Sequence, residues 1–129
     1  MKRDMEIIRT VLLKVEERCP PYGNERFSKD DFPGYDWMTV WSHARLLEDI
    51  GFFQGVSHEV GIDCFSVHGL SWGGHEFLES IRDPETWRQI KEIAQDLKNF
   101  GIGTIKTISR IDLKQKIKAK LEIKAEQVV

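Results

Sequence analysis

Asp36-Trp37-Met38-Thr39-Val40-Trp41-Ser42-His43-Ala44-Arg45-Leu46-Leu47-Glu48-Asp49-Ile50-Gly51-Phe52-Phe53 is the stretch on which the fold turns. Trp37, Val40, Trp41, Ala44 and Leu47 recur at spacings of three and four, which predicts a helix over 37–50 with one apolar side. The Asp36 carboxylate is placed to accept the free amides of its first turn, and Gly51 to close its end. Phe52-Phe53 then opens a short strand. Gly55-Val56-Ser57-His58-Glu59-Val60-Gly61 reads as a loop with glycine at both ends. Beyond it, Ile62, Cys64, Ser66 and His68 alternate with Asp63, Phe65 and Val67 along a second strand. The pattern is a helix followed by a two-stranded hairpin over 52–70.

Upstream, Met5, Ile8, Leu12 and Val15 give a helix over 4–18, with Asp4 where a first turn favours an acid. Cys19-Pro20-Pro21 ends it, because the residue before a proline is pushed out of helical conformation. Residues 19–36 are a connector rich in turn signals. Phe27 and Phe32 flank Ser28-Lys29-Asp30-Asp31 there, the place for a short strand or single turn. Downstream, Phe77, Leu78 and Ile81 give a helix over 71–82 an apolar side. Each glycine of Gly73-Gly74 costs such a helix about 1 kcal/mol against alanine. The pair predicts close approach to another backbone, or a helix that starts at His75. Asp83-Pro84 marks a restart. The next helix runs to about residue 99, with Trp87, Ile90, Ile93, Ala94 and Leu97 on one face. Gly101 and Gly103 break it, and a last helix over 105–124 carries the row Ile105, Ile108, Leu113, Ile117 and Leu121.

This order predicts an α+β, mainly helical, winged-helix-like fold. Residues 1–104 form the domain, and 105–129 a basic C-terminal helix packed on it or used for dimerisation. In the related helix-turn-helix class one helix enters the DNA major groove. Residues 38–50 are the candidate recognition helix here, and 55–61 the tip of a wing that would touch the DNA backbone or minor groove. The usual middle helix is missing or reduced to the connector.

The chain has 129 residues, 40 % hydrophobic and 31 % charged, the composition of a globular domain rather than a disordered or collagen-like one. No apolar run approaches the ~20 residues of a membrane span. The opening Met1-Lys2-Arg3-Asp4-Met5-Glu6 enters charged helical sequence rather than a leader. Cys19 and Cys64 form no disulfide framework and lack CxxC spacing. A cytoplasmic protein with no membrane contact is expected. The net charge of −2 hides a gradient. Residues 1–104 carry 12 Lys and Arg against 18 Asp and Glu, and residues 105–129 carry 7 against 3. The basic tail suits a nucleic acid or anionic partner, or a solvated helix face.

Three stretches carry a resemblance. They are Met1-Lys2-Arg3-Asp4-Met5-Glu6-Ile7-Ile8-Arg9, Ser42-His43-Ala44-Arg45-Leu46-Leu47-Glu48-Asp49-Ile50-Gly51-Phe52, and above all Leu70-Ser71-Trp72-Gly73-Gly74-His75-Glu76-Phe77-Leu78-Glu79-Ser80-Ile81-Arg82-Asp83 with Trp87. Together the chain resembles the domain-of-unknown-function family 2513, small proteins of bacteria, phages and prophages. Its pattern is similar to Leu-Thr-Trp-x-Gly-His-Glu-Phe-Leu-x-x-Ile-Arg-Asp followed by tryptophan. Ser71 stands here for threonine, and Ile50-Gly51-Phe52-Phe53 for an alanine-glycine-leucine-isoleucine-like turn. The resemblance implies a winged-helix-like fold and a phage or mobile-element setting, and supplies no activity.

His75-Glu76-Phe77-Leu78-Glu79 has glutamate where the two-histidine zinc motif needs its second imidazole. No metal and no cofactor is expected. Trp72, Gly74, His75, Glu76, Arg82 and Trp87 are read as a structural motif, with His75 capping its helix and packing near Trp72. The four tryptophans are read as core and interface anchors. No nucleophile elbow or phosphate loop is present, so no enzyme is expected. His43 is read as structural, turned inward to the hairpin. Thr39, Ser42 and Arg45 form the polar face that could reach double-stranded DNA, joined by His58 on the wing and by Lys114 and Lys118 on the last helix. The first expectation is DNA binding or transcriptional control. The alternative is a protein-interaction module or homodimeric adaptor, with Ile105, Ile108 and Ile117 as an exposed docking row.

Overall fold

Asp4 starts the first helix: its carboxylate accepts the Glu6 amide at 2.9 Å, and α1 (Met5–Arg18) follows. The structure is a computed structural model that describes residues 2–55 and 63–128, with side chains to residue 124. The expected wing tip, Gly55 excepted, and His58 with it lie outside the described residues. The remaining elements are β1 (Glu25–Ser28), a 3-10 turn (Lys29–Asp31), α2 (Trp37–Asp49), β2 (Phe53–Gln54), β3 (Cys64–Val67), β4 (Gly69–Leu70), α3 (Trp72–Ile81), α4 (Pro84–Asp96) and α5 (Ile102–Val128). The class is α+β and mainly helical. The chain divides into two compact units, Met1–Glu79 and Ser80–Val129. The step in charge at 104/105 does not coincide with that boundary.

In the first unit, α1 buries Ile8, Val11, Leu12 and Val15 and packs against α2. Its last turn ends in Arg18, a cation where the helix dipole favours one. The Arg18 guanidinium meets Glu25 at 2.6 Å, meets Asp31, and lies 4.8 Å from the Phe27 ring centre. It thereby ties the end of α1 to β1 and the 3-10 turn. Both carboxylates push the Arg18 pKa up.

The strands pair differently from a simple hairpin. β2 pairs antiparallel with β4, Phe53 opposite Leu70, whereas β3 pairs antiparallel with β1, Phe27 opposite Phe65. The predicted second strand is therefore two short strands with different partners. The cause lies at His68-Gly69. Gly69 sits at φ 147°, which side chains disfavour, and the run bends there. The His68 amide still donates to the Gln54 carbonyl at 3.0 Å. All four residues of β3 are buried, so no alternation could mark an inner face. Phe27, Phe32, Trp37, Phe53 and Phe65 form one ring cluster, with neighbouring centres 5.3–6.4 Å apart.

Gly51, at φ 77°, closes α2 as its sequence position suggested. Ser71 then fastens α3. Its amide donates to the Phe52 carbonyl at 2.9 Å and its hydroxyl to the Gly51 carbonyl at 2.5 Å, while the Gly74 amide donates to that hydroxyl at 3.1 Å. A Cβ on Gly74 would fall 2.3 Å from the Phe52 carbonyl oxygen. The close approach expected from the glycine pair belongs to Gly74, and the helix starts at Trp72 rather than His75.

In the second unit, Asp83 caps α4 by accepting the Thr86 amide at 2.8 Å, with Pro84 in the first helical position. That amide holds the Asp83 carboxyl below its usual range. Trp87, Ile90 and Ala94 are buried, but Ile93 and Leu97 are exposed. α4 ends at Asp96, earlier than expected, and Gly103 lies inside α5 rather than before it. α5 packs against α4 and buries Ile105 and Ile108. The rest of its expected row, Leu113, Ile117 and Leu121, is exposed. The tryptophans also divide. Trp87 is buried, Trp37 and Trp41 are half-buried, and Trp72 is 79 % exposed. Trp87 is a core residue, and Trp37 packs against Phe32 and Phe65 in the ring cluster.

The glycine pair gives a paired test. Gly74→Ala forces backbone apart and is expected to destabilise by about 1–3 kcal/mol. Gly73→Ala meets only ordinary contacts, the nearest at 3.8 Å, and is expected to be neutral or to stabilise by up to about 1 kcal/mol. Urea unfolding midpoints of the two variants read the difference.

Candidate functional site

α2 holds three of the six residues expected to contact DNA: Thr39, Ser42 and Arg45. Thr39 is committed to the cap: its amide and its hydroxyl both donate to Asp36 Oδ2, at 3.1 and 2.9 Å. Ser42 is half-buried. Arg45 is exposed, with its guanidinium 5.2 Å from the Trp41 ring centre. It is the single cation of α2, against the acids Glu48 and Asp49. His43 turns inward and is fully buried, but towards α1 rather than the hairpin. Its Nε2 accepts the Asp4 amide at 2.8 Å and its Nδ1 lies 2.7 Å from the Thr39 carbonyl. A neutral ring with its hydrogen on Nδ1 satisfies both.

The Trp72-to-Trp87 motif separates into parts. Gly74 is buried for the backbone reason given above. Ser71, not His75, caps α3. His75 is exposed and its Nδ1 lies 3.5 Å from Glu16 Oε2 at the end of α1. Glu76 is exposed and Arg82 half-buried. Trp87 is buried with the Lys91 ammonium 5.6 Å from its ring centre.

Trp72 and His75 stand on an open groove of about 410 Å³, within the ~300–1,000 Å³ of ligand pockets. Glu16 and Cys19 line its α1 side, and His68 and Leu70 its strand side. Glu16 is the only formally charged side chain among the described lining residues. Burial pushes the Cys19 thiol pKa up, and the Glu25 carboxylate adds to that against the nearby Arg18. The thiol lies 3.7 Å from the Val67 carbonyl. Such a group stays protonated and is no activated nucleophile. Among the described residues, no three His, Cys, Asp or Glu side chains come together as a metal-binding group. No local motif foreshadows this groove, because its walls come from α1, β4 and α3.

In the second unit, Lys114 and Lys118 are exposed on α5, as is Lys120. Lys116 is held by Asp112 at 2.9 Å and donates to the Thr86 hydroxyl at 3.1 Å. Leu113, Ile117 and Leu121, four apart, make one apolar row 49–61 % exposed. This differs from the expected docking row: Ile105 and Ile108 are buried, and only Ile117 belongs to the exposed one. Among the described residues no helix is long and apolar enough to cross a membrane.

A family model described as "Hypothetical protein (DUF2513)" matches residues 2–101. An uncharacterised protein of Haemophilus influenzae is 30 % identical over 118 residues, which cover 89 % of this chain and 98 % of that protein. No solved structure matches the chain.

His43 lends itself to a direct test. His43→Ala leaves the Asp4 amide without its acceptor and opens a cavity between α1 and α2. A loss of about 2–4 kcal/mol is expected, read from chemical unfolding. A loss below about 0.5 kcal/mol, the scale of ordinary surface substitutions, would show that the buried imidazole carries no structural weight.

Proposed function

The chain belongs to the DUF2513 family, and on that footing we propose that it is a non-enzymatic binding module whose partner is a protein. The observation that carries this is the solvent half of α5. Leu113, Ile117 and Leu121 form an exposed apolar row there, with lysines Lys114, Lys118 and Lys120 beside it. Exposed leucines and isoleucines in register on one helix mark a docking face. The lysines favour an acidic partner surface, and their stems add apolar cover.

The scaffold under this reading is winged-helix-like. α1, β1, the 3-10 turn, α2 and β2 come in the order of that class, and β1 pairs with β3. That order favours a second reading, binding of duplex DNA with a role in transcriptional control. The α2 surface speaks less for it. One arginine folded towards Trp41, among acids, is a poor source of the phosphate contacts that dominate DNA affinity.

Two measurements separate the readings. In a gel shift with random duplex at low salt, the protein reading expects no retardation that Arg45→Ala weakens. The DNA reading expects retardation at micromolar protein, weakened by Arg45→Ala and lost steeply with salt. In affinity capture, a partner identified by mass spectrometry should be retained by the native chain and lost with Leu113→Ser, Ile117→Ser and Leu121→Ser together. Retention by the triple variant would overturn the protein reading.

A further inference from the structure

The groove beside Trp72 places a carboxylate next to apolar surface. Among the described lining residues its one formal charge is the Glu16 carboxylate, with His75 Nδ1 at 3.5 Å, and Val15, Pro20 and Leu70 supply apolar walls. Trp72 offers an indole that is 79 % exposed, a side chain large enough to dominate a contact and left in water. An ammonium over an indole face, with a carboxylate within reach, is the setting that recognises lysine. The unit around the groove is acidic: Met1–Glu79 carries eight Lys and Arg against fourteen Asp and Glu, a net −6.

The ligand of matching chemistry is present on the same polypeptide. α5 carries Lys114, Lys118 and Lys120 beside Leu113, Ile117 and Leu121. Two α5 helices paired with each other would set lysine against lysine along this row. An α5 set against the acidic unit of another molecule pairs opposite charges. Resting on the reading of α5 as a docking face, we infer that the Trp72–Glu16 groove is the receptor for α5 of a second copy of this chain. A lysine ammonium meets the indole and the Glu16 carboxylate, and the neighbouring apolar row lies on the groove walls. The contact is head to tail, with a different surface on each partner, so it builds rings or open chains rather than a two-fold dimer.

Complementary variants test this. Sedimentation of the full chain at low salt should show association that grows with concentration and weakens in high salt. Glu16→Lys removes the receptor, and Lys114→Glu, Lys118→Glu and Lys120→Glu together remove the arm. Each should sediment as a monomer, and Trp72→Ala should weaken association about tenfold. The decisive sample is the mixture. Glu16→Lys supplies an intact arm and the triple variant an intact groove, so the two should form a 1:1 dimer that grows no further. Far-UV circular dichroism confirms that each variant is folded. A native chain that stays monomeric at several hundred micromolar would overturn the inference and leave α5 open to another protein. Association untouched by Glu16→Lys and Trp72→Ala would also overturn it. If such association disappears with the serine substitutions on α5, the docking face stands with a different receptor. If it survives those too, both readings fail.

Discussion

The Phe52 carbonyl is the point on which the first unit is assembled. It accepts the Ser71 amide and lies so close to Gly74 that a methyl group there would overlap it. The Ser71 hydroxyl completes the joint by reaching the Gly51 carbonyl. Residues twenty apart are thereby locked together at the end of α2 and the start of α3. The joint also sets the register of β2 on β4, since Phe53 and Leu70 are the next residues outward on both sides. Burial alone could not do this. Apolar contact is non-directional, whereas three hydrogen bonds and a missing side chain admit one arrangement.

What lay open in the sequence was local. Asp36 and Asp83 cap the helices they precede, because a carboxylate before a helical run has one obvious set of donors, and Asp4, read as an acid of the first turn, is the cap of α1. Gly74 could be recognised as a backbone contact, since two glycines in a helix need a compensating reason. The strand partners could not be read. The connector's short strand and turn were expected near Phe27 and Phe32, but Glu25 pairs with Val67 across forty-two positions of chain, and nothing local names that partner. Gly103 shows the opposite failure: it is the second residue of α5, and its helical neighbours carry the run through a glycine that read as a break.

Exposure was the harder quantity. Leu113, Ile117 and Leu121 have the spacing of a buried stripe, and spacing is silent about whether anything covers it. Trp72 misleads for a similar reason. Tryptophan is mostly buried in proteins, yet the joint at Ser71 and Gly74 leaves this indole, first in its helix, in solvent. The groove was invisible because Glu16, His68 and His75 come from three separated elements. His43 could be seen to face inward, but its partner Asp4 lies thirty-nine positions away. Residues whose role depends on a neighbour along the chain were legible, and those whose role depends on a distant element were not.

The exposed indole has a consequence for conformational entropy. Tryptophan has two side-chain torsions, so holding Trp72 still on contact sacrifices little freedom. Each lysine of α5 has far more rotamers to surrender, up to about 2 kcal/mol apiece on common scales. The two sides of the inferred contact therefore give up unequal freedom, the indole little and the lysines of the arm much more.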